Sequence, residues 1–220
     1  ETNYALRANM TKDEFVSEVL EGISVPPQYF AKNVMLNKTG YKNIEDVLSI
    51  GNSPLSVDVF KSYLANNKAL ILDVRTPQEY AKGHIKNSLY IGINGGFAPW
   101  VGALISDLNQ PIILISPEGK EEETVLRLSR VGYDDTLGYL NGGVDAWLKA
   151  GNDLITTASI NVDEFASKFT DNNNINILDV RKDGEYDSAH LVSAVHKPLN
   201  VIEQWKANYV DDLTYIHCAG

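Results

Sequence analysis

The sequence predicts an α/β protein: an open parallel sheet flanked by helices, in tandem with the second copy truncated, preceded by a short helical segment. Three observations predict it. The stretch Leu70–Arg75 recurs as Asn176–Arg181. The match then continues, because Asp73, Arg75, Glu79, Tyr80 and His84 return as Asp179, Arg181, Glu185, Tyr186 and His190, each 106 positions later. A repeat of that length reads as two homologous domains and not as a short-repeat solenoid. Short apolar runs also alternate with helix-patterned segments, the arrangement of parallel strands joined by crossover helices.

The bulk composition narrows the classes. With 220 residues, 44% of them hydrophobic, the chain can build an ordinary core in roughly one to two domains. A formal charge of −10 argues against nucleic acid, whose phosphates would be repelled. Cys218 is the one cysteine, so no intrachain disulfide forms, which fits a reducing compartment. The longest apolar runs, Ala69 to Leu72 and Ile112 to Ile115, are too short to cross a bilayer, and no signal peptide is visible. A cytoplasmic location and no membrane partner are therefore expected. The chain opens at Glu1 rather than Met, which reads as a piece of a longer protein.

Residues 1–52 belong to neither copy. Thr11 and Glu14 form a capping box opening a helix, with Phe15, Val16, Val19 and Leu20 on one face. Gly22 ends it, and Pro26–Pro27 start a second helix from about Gln28 to Asn37, closed by Gly40. This segment is either a docked linker or the tail of an upstream domain.

The first copy occupies 53–151. Ser56 caps a helix carrying Phe60, Tyr63 and Leu64. The run ending in Asp73-Val74-Arg75 is a strand buried on both faces. A short helix from Thr76 to Lys82 follows, then Gly83-His84-Ile85, and another helix near Ala98 to Leu108. Pro111 to Ile115 is a second buried strand ending at Ser116, with a charged helix from about Lys120 to Arg130 behind it. Asp135 to Leu140 is a third strand, followed by Asn141-Gly142-Gly143 and a helix holding Trp147. Trp100, Trp147 and Trp205 read as core residues, and Lys120 to Glu123 as a solvated helix face.

The second copy occupies 152–220. Asn161 caps a helix with Phe165 and Phe169, then come the Asp179 strand, Gly184 to His190, and a strand from Asp212 to His217. The sequence stops at Cys218-Ala219-Gly220, inside the loop after that strand. This copy is expected to be the less stable one and to lean on the first.

The chemistry sits at the carboxyl ends of these strands, where open α/β sheets place their crevices. Asp73/Arg75 and Asp179/Arg181 read either as site residues or as pairs bracing a loop, since buried charges need partners. Cys218 lies between a buried strand and a helix start, where backbone N–H groups and the helix dipole favour thiolate. The alternative is a small buried apolar cysteine. His84 and His190 read as capping helix ends; the four histidines lack metal-ligand spacing.

Two resemblances sharpen this reading. Leu-Asp-Val-Arg, Glu-Tyr and Gly-His-Ile in the first copy, Gly-Gly-Val-Asp-Ala-Trp-Leu-Lys-Ala-Gly at 142–151, and Tyr215-Ile216-His217-Cys218-Ala219-Gly220 together resemble the rhodanese domain over about residues 53–220. The resemblance implies that Cys218 carries a persulfide, supported by Asp179, Arg181, Ala219 and Gly220, between a small sulfur-containing anion or thiol persulfide and a thiophilic acceptor. In the first copy Ser116 stands where the cysteine belongs, beside Asp73 and Arg75, and Glu118, Glu121, Glu122 and Glu123 make the loop acidic. That site is expected to be degenerate and silent, because a hydroxyl cannot hold persulfide sulfur. The segment Glu18-Val19-Leu20-Glu21-Gly22, Pro26-Pro27-Gln28-Tyr29-Phe30 and Asn37-Lys38 resembles the tail of metallo-β-lactamase-fold hydrolases related to glyoxalase II and persulfide dioxygenase. Such hydrolases occur fused to rhodanese domains in bacteria.

The expectation is a bacterial fusion protein with sulfur-handling activity, inactive as this piece alone. Its metal belongs to the upstream metallo-β-lactamase-fold domain, and no cofactor is expected in this chain. Two rivals stay open: a non-catalytic rhodanese-like docking module, and a phosphatase of related fold.

Overall fold

The computed structural model describes residues 10–21, 29–66, 69–171, 175–209 and 213–218. The expected helix signals at Gly22 and Pro26–Pro27, the start of the Asp212 strand, and Ala219 and Gly220 lie outside them.

A five-stranded, all-parallel sheet organises the first unit. Its strands are β1 (Pro54–Leu55), β2 (Leu70–Asp73), β3 (Leu89–Tyr90), β4 (Ile112–Ile115) and β5 (Thr136–Leu140), in the spatial order β1-β5-β4-β2-β3. The two long central runs are continuous apolar sequence because both of their faces are covered. Side chains alternate across the sheet. Leu72, Ile112 and Leu114 point to one core layer, whereas Ile71, Ile113 and Ile115 point to the other.

Helices close both layers. On one side lie α3 (Ile44–Gly51), α6 (Phe97–Leu104) and α7 (Glu121–Ser129), which contribute Val47, Phe97, Val101, Val125 and Leu128. On the other lie α4 (Val57–Asn66) and α8 (Gly143–Lys149), whose Phe60 and Trp147 meet edge to face at 6.1 Å. Ser56 caps α4 as expected, its Oγ accepting from Val59 N at 3.3 Å. Trp147 is buried, while Trp100 and Trp205 are only half-buried. Trp100 packs at the margin of a core layer, and Trp205 spends its indole N–H on the Pro198 carbonyl.

The stretch before β1 divides into three helices. In α1 (Lys12–Leu20) the capping box forms: Glu14 N donates to Thr11 Oγ1 at 3.3 Å and Thr11 N to Glu14 Oε2 at 2.8 Å. Its apolar face stays open, with Phe15, Val16 and Leu20 exposed. The next helix, α2 (Tyr29–Thr39), ends at Gly40, whose φ of +87° lets its N–H close on the Leu36 carbonyl. The third helix, α3, is the surprise. It lies inside residues 1–52 yet belongs to the first unit's core through Val47, and a Cβ on Gly51 would stand 2.6 Å from Val125 Cγ1.

After α8 the chain returns along the first unit before starting the second. His84 and Ile155 exchange backbone hydrogen bonds at 2.9 Å each way, and Thr157 N donates to the Ala81 carbonyl. The second unit comprises α9 (Val162–Asp171), β6 (Asn176–Asp179), α10 (Asp183–Ser188), β7 (Val195–His196) and β8 (Thr214–His217). Asn161 caps α9, its Oδ1 accepting from Glu164 N at 2.9 Å. The three strands form a parallel sheet in the order β7-β6-β8, which is the first unit's β3-β2-β4 over again. Phe165 packs edge to face on Tyr215, and a 3-10 segment, Leu199–Gln204, lies against α6 of the first unit. No helix among the described residues is long and apolar enough to cross a membrane.

Candidate functional site

The same device stands at the carboxyl end of both central strands. In the first unit Asp73 is fully buried at the end of β2. Arg75 Nε donates to Asp73 Oδ1 at 2.9 Å, Arg75 Nη2 donates to Oδ2 at 2.6 Å, and Arg75 N donates to Oδ1 at 3.2 Å. Arg75 Nη2 also reaches the Gly83 carbonyl at 2.9 Å, tying the loop after α5 (Pro77–Lys82) to the strand. In the second unit Arg181 repeats each bond on Asp179, at 2.9, 2.6 and 3.0 Å, and its Nη2 reaches the Ala189 carbonyl at 2.7 Å. The geometry is that of a brace. A planar guanidinium satisfies a buried carboxylate bidentately and uses its remaining donor to close a loop.

Each brace sits under an aromatic stack. Tyr80 stacks on His84 at 3.8 Å with 12° between planes, and Tyr186 stacks on His190 at 3.8 Å with 10°. Both histidine Nδ1 atoms meet the tyrosine's own carbonyl, at 2.9 and 2.8 Å, so both rings close the short helix end as the sequence suggested. Both units have a third ring: His196 lies 4.1 Å from Tyr186, where the first unit has Tyr90 4.8 Å from Tyr80.

The register of the sheets aligns the two candidate loops. In the first unit Asp73 pairs with Ile115, and Ser116 follows. In the second unit Asp179 pairs with His217, and Cys218 follows. Ser116 is half-buried and its hydroxyl donates to the Pro117 carbonyl at 3.2 Å. Cys218 is a free, exposed thiol. Behind Ser116 the loop carries Glu118 and Glu122 exposed, while Lys120 and Arg127 both pair with Glu123. Lys120 and Glu122 are the solvated part of that helix face; Glu121 and Glu123 are half-buried.

The electrostatics differ between the copies. Arg181 hydrogen bonds, helped by the nearby imidazole of His217, hold the Asp179 carboxyl down at about 2. Arg181 is held above its ordinary value, first by its bonds to Asp179 and last by Cys218, whose sulfur lies within electrostatic reach. His217 Nε2 stands 3.2 Å from Asp179 Oδ2. The structure thus brings together Cys218, His217, Asp179 and Arg181 in one unit, and Ser116, Ile115, Asp73 and Arg75 in the other. His217 and His196 escaped the sequence reading as site residues. The signal that finds them is the register, which sets both against Asp179 where the first unit has Ile115 and Tyr90.

Among the described residues no group of three or more His, Cys, Asp or Glu side chains gathers as a metal would need. An open groove of about 430 Å³ on the second unit is lined by Leu178, Val195, Trp205, Tyr209 and Thr214, away from Cys218.

Comparison with known proteins gives the arrangement its relatives. The Rhodanese-like domain family matches residues 56–150. Thiosulfate sulfurtransferase GlpE of Pseudomonas aeruginosa is 31% identical over 85 residues, covering 38% of this chain and 74% of GlpE. The mitochondrial protein HIGH ARSENIC CONTENT 1 of Arabidopsis thaliana is 29% identical over 129 residues, covering 53% of this chain and 71% of the relative. Among solved structures, a metallo-beta-lactamase from Staphylococcus aureus is similar at 21% identity and a TM-score of 0.47, over 61% of this chain and 36% of that one.

Proposed function

Because this chain belongs to the rhodanese-like family, we propose that it handles sulfane sulfur, with Cys218 of the second unit as the persulfide carrier and the first unit as a silent scaffold. The observation that carries the reading is the aligned pair of strand ends. Both have the Asp–Arg brace, and only the second follows it with a thiol. A thiolate at Cys218 attacks the outer sulfur of thiosulfate or of a thiol persulfide. The donor's S–S bond breaks, sulfite or a thiolate leaves, and a thiophilic acceptor then takes the sulfur from the cysteine. The Arg181 guanidinium, paired with Asp179, lies within electrostatic reach of the sulfur. Ser116 has no such chemistry, and its acidic surroundings repel the same anions.

The longer protein, in this reading, joins these units to an upstream metallo-β-lactamase-fold domain that holds the metal and acts on a persulfide. The motif at residues 18–38 supports it, as does the open apolar face of α1 at Phe15, Val16 and Leu20. A docking module without catalysis is the competing reading, favoured by Ser116 in the first unit.

Sulfur transfer from thiosulfate to cyanide, read as thiocyanate, separates the two. Catalysis by the longer protein, abolished in Cys218→Ser and unchanged in Ser116→Ala, is the expected result. Equal rates in Cys218→Ser and the unmutated protein would refute the assignment.

A further inference from the structure

We propose that His217 is a positioning residue for Cys218: standing 3.2 Å from the Asp179 carboxylate, its imidazole sets how readily the neighbouring thiol reacts as a thiolate. The two units provide the argument, because they are near-copies that differ where the cysteine appears. At the strand position before the loop, the silent unit has Ile115, fully buried, and the cysteine-bearing unit has His217. In the first unit Arg75 holds the carboxylate; in the second Arg181 holds it and His217 stands beside it. Asp179 takes Arg181 on both oxygens and meets His217 Nε2 at 3.2 Å.

The carboxylate end of this contact is fixed. The Asp179 side chain is inaccessible, locked by four hydrogen bonds from Arg181, and so cannot follow the histidine outward. The imidazole Nε2 is buried and makes no hydrogen bond, so its contact with the carboxylate is one of charge. The ring stands at the end of β8, one residue before Cys218. Histidine gains and loses charge in the physiological pH range. With His217 protonated, the cluster of Asp179, Arg181 and His217 carries one net positive charge next to Cys218; with it neutral, the cluster carries none. An excess positive charge there favours the thiolate and any persulfide anion that replaces it.

Two further titratable groups lie near the cluster. From β7, His196 places Nε2 on the Arg181 carbonyl at 3.0 Å and Nδ1 3.9 Å from Asp183. From α10, Glu185 acts on Arg181 and accepts from Lys182 N. Neither His196 nor Glu185 contacts the Asp179 carboxylate, so His217 is the group whose charge the cluster passes to Cys218.

The inference rests on Cys218 being the reactive residue, but its test does not depend on sulfur transfer. Cys218 is the sole thiol of the chain, so alkylation by iodoacetamide reports on it alone. The rate should be followed from pH 5 to pH 10 for the unmutated chain, His217→Gln and His217→Ile, the last of which installs the first unit's residue. Below neutral pH both variants should react about threefold to tenfold more slowly, the size expected of one charge at a partly solvated separation. Superimposable profiles would overturn the proposal. A second measurement leaves His217 in place and serves if either variant misfolds. The His217 ring resonance is titrated in the unmutated chain and in Cys218→Ser. By linkage the thiolate must alter the histidine titration, and identical curves would also overturn the proposal. A chain that showed these effects yet took no sulfur from any donor would leave this inference standing and refute the persulfide reading alone.

Discussion

Asp73 and Asp179 occupy the costliest kind of position in a fold, a carboxylate with no solvent exposure. What makes each tolerable is the arginine two residues later, which supplies a bidentate pair and a backbone donor within the same strand end. The pairing is local: the strand ends at Asp, the chain bends at the Arg two residues on, and Asp-x-Arg closes on itself. The acid side of the stability profile follows. The Asp179 carboxyl is held at about 2 in the folded unit and returns to the ordinary carboxylate range, about 4, on unfolding. A group whose folded pKa is depressed contributes stability that is complete above its unfolded value and is lost as pH falls toward the folded one. The second unit should therefore weaken between about pH 4 and pH 2, and Asp179→Asn should flatten that limb when denaturation is followed through second-unit resonances. An unchanged acid limb would mean that the carboxylate is not what the arginine stabilises.

At this scale the sequence was readable in one respect and opaque in another. The Asp–Arg pairs, the capping box at Thr11 and the two histidine caps were legible because each is made within a few residues of chain. The contact between His217 and Asp179 joins residues 38 positions apart through the sheet register, and no local pattern encodes it.

Among elements, the long strands and the amphipathic helices were visible because a core imposes its own period on the sequence. The strands β1, β3 and β7 are two residues each, too short to show any period, and they emerge only from pairing. The helix α3 was missed for a related reason. It has one buried side chain besides a glycine, and that glycine is there because α3 presses on α7, a fact of packing and not of helix propensity. Close approach also decides the join between β1 and β5. Gly138 has a φ of +135°, and a Cβ there would lie 2.5 Å from the Ser53 carbonyl oxygen. Backbone cannot step aside as a side chain can, so Gly138→Ala should lower the stability of the first unit on the order of 2–4 kcal/mol in chemical denaturation. The same change at Gly119, which has positive φ but open space around it, should produce only the smaller conformational penalty.

For the whole molecule, the lesson lies in the comparison of one unit with the other. The two share sheet order, brace, aromatic stack and helix-end histidine, and they diverge at the loop that decides chemistry. Ile115 and Ser116 in one become His217 and Cys218 in the other. The shared parts hold the strand end rigid, and rigidity at that point positions whatever residue follows, whether inert or reactive. In a chain of net charge −10, that loop of the second unit keeps Arg181 and His217 beside the buried Asp179 carboxylate. The direct test is intact mass. The chain should be incubated with thiosulfate and with glutathione persulfide and weighed beside Cys218→Ser. One added sulfur per chain that is absent from Cys218→Ser and removed by a reducing thiol is the predicted result. No added sulfur from either donor, or sulfur retained by Cys218→Ser, would contradict the account.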